Sequence, residues 1–152
     1  MRTLCIVVLF LSLMACRQKT RVTGEKQNSD RSMAGAKTAQ DCYSYIKGKD
    51  TAMLTLLTTG KVSTGELEYK WFEKDKNIGT IEGEMHGDTL LASYTFNSEG
   101  QQSVRQVAFL KKGDQLLEGT GDVADMNGKV QFKDLSKLSF GKSVVFQKVA
   151  CK

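Results

Sequence analysis

Turn signatures recur about every 11–16 residues from Lys47 to Lys142, and they limit this chain more than any other feature. They are Lys47-Gly48-Lys49-Asp50, Thr59-Gly60, Lys74-Asp75-Lys76-Asn77, His86-Gly87-Asp88, Glu99-Gly100, Lys112-Gly113-Asp114, Asn127-Gly128 and Gly141-Lys142. Gly, Asn and Asp suit tight hairpins because such turns need positive φ. Between the turns, apolar and polar residues alternate with period two. Leu67, Tyr69 and Trp71 share one face, as do Leu90, Ala92, Tyr94 and Phe96, then Val107 and Phe109, then Val144 and Phe146. Short alternating strands with regular punctuation indicate an all-β barrel or sandwich. Closure removes the exposed strand edges that a sheet otherwise presents. The expectation is therefore a small antiparallel up-and-down barrel, calycin-like, of about eight strands, with a β-sandwich as the alternative. Gly79, Gly83, Gly119 and Gly121 fall inside strands, where they would mark bends, bulges or close backbone approach. Asp134 to Leu138 is expected to form a single helical turn.

The region that carries this pattern is 41–152, read as a single domain. Ahead of it, residues 4–15 read LCIVVLFLSLMA, an apolar run too short to span a membrane but suited to a secretion signal. The run ends in Leu13-Met14-Ala15-Cys16, which resembles the lipobox of bacterial lipoproteins. The resemblance implies residues 1–15 as a signal peptide, cleavage between Ala15 and Cys16, and Cys16 as the site of lipid attachment and acylation. Residues 16–40 then form the lipidated Cys and a basic tether. The stretch from Arg17 to Gln40 has no aromatic residue and too little apolar surface to offset the entropy of ordering it. Arg17-Gln18 lacks an Asp retention signal, which by the same resemblance points to the outer membrane, facing the periplasm.

The formal charge of +5 suggests nucleic acid, but its distribution opposes that. Residues 41–152 carry fifteen basic and fifteen acidic side chains, and the excess lies in the tether. A nucleic-acid binder concentrates its basic groups on the folded domain. The expected partner is instead a membrane, held through the N-terminal lipid, together with a protein partner or small ligand.

Cys42 and Cys151 bracket the domain. In an exported protein, two such cysteines suggest a disulfide, the alternative being two separate thiols. Neither belongs to a CxxC pair, so zinc and redox chemistry have no support. Catalytic and metal-ligating groups are sparse in the sequence. Glu82, Glu84 and His86 alternate along one strand, nearly 7 Å apart, and so converge poorly on one ion. Glu73 to Asn77 resembles the start of a calcium loop but lacks its later ligands. Gly119-Thr120-Gly121-Asp122-Val123-Ala124 matches GxGxxA without the helix that a dinucleotide fold needs next. No catalytic residue, cofactor or metal is assigned, and the chain is not expected to be an enzyme.

One charged residue stands out. Arg105 shares a face with Val107 and Phe109, so an inward Arg105 would need an acidic partner, Glu118 or Glu99. Arg105, Tyr94 and Phe96 are the candidate ligand-binding residues, with Tyr43 and Tyr69 lining any cavity. Trp71-Phe72 is the best candidate for an exposed aromatic patch. The run EKDKNIGTIEGEMHGDTLLASYTFNSEGQQSVRQVAF (73–109) is similar to a group of small Bacteroidota lipoproteins, and that similarity brings no activity with it. NlpE-like envelope sensors and C-type lysozyme inhibitors offer an architectural analogy only, since the CxxC of the former and the Ser-Gly-x-x-Tyr loop of the latter are lacking. The functional expectation is a lipid-anchored envelope lipoprotein whose non-catalytic barrel binds a protein partner or small ligand. Its alternatives are a calycin-like carrier of a small apolar or anionic molecule, and an envelope-stress or inhibitor-type interaction module.

Overall fold

The computed structural model describes residues 36–152. The segment read as a signal peptide, the cleavage and lipid-attachment residues Ala15 and Cys16, and most of the segment read as tether lie outside the described residues. The first strand, β1 (Thr38–Lys47), begins inside the segment read as tether. It is followed by β2 (Asp50–Thr59), β3 (Val62–Lys70), β4 (Asn77–His86), β5 (Thr89–Ser98), β6 (Gln101–Lys112) and β7 (Gln115–Thr120). Then come β8 (Val123–Met126), β9 (Lys129–Phe132), a 3-10 turn at Leu135–Lys137 and β10 (Ser139–Val149). The turn sits where it was expected, capped by the Asp134 carboxylate on the Ser136 N–H at 2.9 Å.

Strands β1 to β7 are successive antiparallel neighbours, and β10 returns between β7 and β1. Eight strands thus close a barrel, and the sandwich is excluded. The meander is interrupted once. After β7 the chain leaves the wall, forms the β8–β9 hairpin, and lays β9 parallel to the first half of β6 through Val104↔Lys129 and Arg105↔Val130. The Asn127-Gly128 signature makes that hairpin. Both residues are left-handed, at φ 58° and 76°, as a two-residue turn requires.

The alternation sorts side chains as anticipated. Tyr43, Leu54, Leu67, Tyr69, Ile81, Leu90, Tyr94, Phe109 and Phe146 are each no more than 1% exposed and fill the interior. Each large apolar side chain so buried contributes about 1.5–3 kcal/mol. Cys42 pairs with Val149 across the β1–β10 ladder, and just beyond it Cys42 and Cys151 form a disulfide with Cα atoms 5.2 Å apart.

At the end of the barrel where β1 begins, Asp41 closes the interior with two lysines. Lys148 Nζ is 2.7 Å from its carboxylate and Lys111 Nζ is 3.6 Å away. The hydrogen bond from Lys148 is the main cause holding the Asp41 pKa below the usual carboxylate value. A depressed folded pKa means that this stabilisation is complete above the unfolded value, about 3.9, and is lost as pH falls through the folded one. Asp41→Asn is therefore expected to be destabilised near neutral pH and to show a shallower loss of stability below about pH 4 than the parent. Urea midpoints collected across that range check this, and parallel curves for parent and variant would count against it.

Candidate functional site

The interruption of the meander builds the candidate site. Strand β6 is paired along its last residues with β7, from Phe109↔Glu118 to Lys112↔Gln115, and along its first half with β9. Residues 106–108 lie between the two partners, at a seam in the wall. Glycines make room there for the side chains of the segment that leads into and begins β10. A Cβ on Gly119 would strike the Phe140 ring at 2.8 Å, and one on Gly121 would meet Leu138 Cδ2 at 3.0 Å. On the far side, the Phe132 N–H donates to Gln106 Oε1 at 3.1 Å and pins the end of β9 to β6. An open cavity of about 250 Å³ lies at the seam, lined by Arg105, Glu118, Gly121, Val123, Val130 and Phe132 among others.

Arg105 points inward, as its parity requires. Its guanidinium carbon lies 5.2 Å from the Tyr69 ring centroid, 5.4 Å from Tyr94 and 5.4 Å from Phe96. Three ring faces around one guanidinium offset part of its desolvation. The rings are themselves fixed. Tyr94 and Phe96 stack at 4.7 Å, the Tyr94 hydroxyl donates to Leu67 O at 2.9 Å, and the Tyr69 hydroxyl donates to Glu118 Oε1 at 2.7 Å. Burial pushes the Tyr94 pKa up to about 12 and raises that of Tyr69 well above the usual phenol value, with the Glu118 charge adding to the latter. Both phenols therefore stay neutral, and neither balances the charge of Arg105.

The expected carboxylate partner does not balance it either. Among the described residues, no acidic group lies within salt-bridge distance of Arg105, and its Nε is buried without a hydrogen-bond partner. Glu118 faces the interior, but Tyr69 takes one of its oxygens and Ser143 the other, at 3.3 Å. Ser143 reaches it because β10 carries residues 141–144 opposite the single residue Glu118. Glu99 lies at the exposed β5–β6 turn, where a hydrogen bond with Asp75 raises its pKa.

The remaining candidates are dispersed. Tyr43, Tyr69 and Tyr94 are buried in the interior, and Tyr43 also lines a cavity of about 580 Å³ on the β1–β2 side, away from Arg105. Glu82, Glu84 and His86 are exposed on the outer face of β4. The GxGxxA match spans the end of β7 and the start of β8. Trp71 packs partly buried against Tyr45 and Tyr69, while Phe72 is exposed with Lys49 Nζ 3.8 Å above its ring. The sequence reading missed Val123, Val130 and Phe132, which reach the seam only through the parallel β6–β9 pairing. Comparison with protein-family models, curated proteins and solved structures finds no match for this chain.

Proposed function

We propose that this chain is a lipid-anchored lipoprotein of the bacterial cell envelope, held at the outer membrane and facing the periplasm, whose non-catalytic barrel binds an anionic group at the Arg105 seam. The observation that carries the binding proposal is the guanidinium itself: inward, ringed by aromatics, without a counterion among the described residues, and at the lining of a cavity. Arg105 is partly buried, and its buried Nε–H, left without a partner, carries a desolvation cost that a bound acceptor would remove. The anchor rests on the lipobox-like Leu13-Met14-Ala15-Cys16. The filled interior argues against a carrier that encloses a large apolar molecule.

A protein partner is a second reading, favoured by one surface. Ile46, 73% exposed, and Met53, 53% exposed, lie with Val149 along the outer faces of β1, β2 and β10, beside a cavity of about 580 Å³ near the C-terminus. Native mass spectrometry on residues 17–152, exported behind a cleavable signal and purified gently, separates the two. A small-molecule adduct that is present on the parent and lost from Arg105→Gln supports the anion site. A parent spectrum without adducts, unchanged by adding small carboxylates, shifts the reading to a protein partner.

A further inference from the structure

We propose that the ligand of the seam is a short apolar carboxylate, with its head on Arg105 and its tail on the β8–β9 hairpin. This rests on the anion-binding reading above and adds the other half of the ligand. The cavity lining has two unlike parts. One is Arg105, without an acidic partner among the described residues. The other is formed by Val123 and Val130, which are 47% and 38% exposed, with Phe132 partly covered beside them. The register Val123↔Phe132 and Asp125↔Val130 puts all three apolar side chains on one face of the hairpin, the face turned to the seam, together with Asp125, whose carboxylate is turned to the hairpin tip and accepts from the Gly128 N–H at 3.0 Å. Pairing Arg105 directly with Val130 sets the charge at the edge of that apolar face. Among the described residues Glu118 is the one carboxylate lining the cavity, and Tyr69 and Ser143 already take its two oxygens.

Size narrows the class. At about 30 Å³ for each water-sized unit, 250 Å³ holds about eight non-hydrogen atoms. A six-carbon carboxylate has that size, whereas a long-chain acid would leave most of its tail outside. A planar carboxylate matches the fork of a guanidinium, which an alcohol or amine of equal length does not.

The test uses the mature chain from Arg17, exported behind a cleavable signal and therefore free of acyl groups, followed by two-dimensional amide NMR. The probes are hexanoate, acetate, 1-hexanol and hexylammonium. Hexanoate is expected to bind saturably, at a Kd of about 0.1–1 mM for so small a ligand. It should move the amide signals of Val123, Val130 and Phe132 and the Arg105 Nε–H signal. Acetate and 1-hexanol should each bind at least about tenfold more weakly, the first lacking the tail and the second the charge. Val130→Ser, which trims the apolar face without placing a carboxylate beside Arg105, should lower hexanoate affinity about fivefold. Arg105→Gln should abolish saturable binding; if it fails to fold, Arg105→Lys keeps the charge without the fork and should weaken hexanoate at least about fivefold. Equal affinity for acetate and hexanoate would overturn the apolar tail and leave the anion site standing. Binding of hexylammonium in preference to hexanoate, or no binding of either carboxylate, would overturn both.

Discussion

Replacing Cys42 and Cys151 together by serine is expected to remove about 3–5 kcal/mol of stability, lowering the melting temperature by roughly 15–25 °C. The bridge spans 109 residues of sequence, so it denies the unfolded chain one of the longest loops that the domain could open. It also guards the seam that closes the barrel. The β1–β10 ladder has three residue pairs, Cys42↔Val149, Tyr43↔Lys148 and Ser44↔Gln147, whereas β1 and β2 pair along their whole length. Without the bridge, β10 is held to β1 by that short ladder, the contact of Lys148 with Asp41, and the packing of Phe146. Urea unfolding of parent and double variant, with far-ultraviolet dichroism as the probe, measures the loss. A difference below about 1 kcal/mol would mean that the ladder and core alone close the barrel, and that the disulfide adds little to equilibrium stability.

Strand number, face assignment and closure were legible because each has a local signal. Turn residues need particular φ values, inward positions need apolar side chains, and two cysteines at the domain ends suggest a bridge. The β8–β9 excursion has no such signal. Val123 to Phe132 alternates around Asn127-Gly128 as any hairpin of a meander would, and nothing local states that β9 will run parallel to β6. The candidate site fell on the same divide. Parity alone placed Arg105 inside and Glu118 on an inward face. Whether the two would pair depended on where β7 parts from β6, on the extra residues of β10 opposite Glu118, and on a Tyr69 hydroxyl 49 residues away in sequence. Gly65 was likewise passed over, although it interrupts the inward series Ser63, Leu67 and Tyr69, because a lone glycine in an alternating strand says nothing about which backbone lies across from it.

Gly79→Ala is expected to cost about 3 kcal/mol or more, the upper end of what overpacking does, and to reach the candidate site as well. Gly79 faces the interior between Leu67 of β3 and Phe96 of β5. A Cβ there would overlap the Thr95 carbonyl and stand 2.5 Å from Phe96 Cα. Those obstacles are backbone, so no rotamer change can relieve them, and the β4–β5 ladder itself must move. A glycine in a hairpin gives the control. Gly87 has φ 61° and open space around the place of a Cβ, so alanine there carries only left-handed strain, about 1–2 kcal/mol. Urea midpoints of the two variants should therefore rank Gly79→Ala well below Gly87→Ala, and equal midpoints would show that the wall yields easily at this point. The displaced residue links stability to binding. Phe96 stacks on Tyr94, and both rings face the Arg105 guanidinium, so a shift of β5 at Phe96 moves the aromatic bed on which the charge rests. If the variant folds at low temperature, it should bind hexanoate more weakly than Gly87→Ala does, even though position 79 is not among the residues lining the cavity.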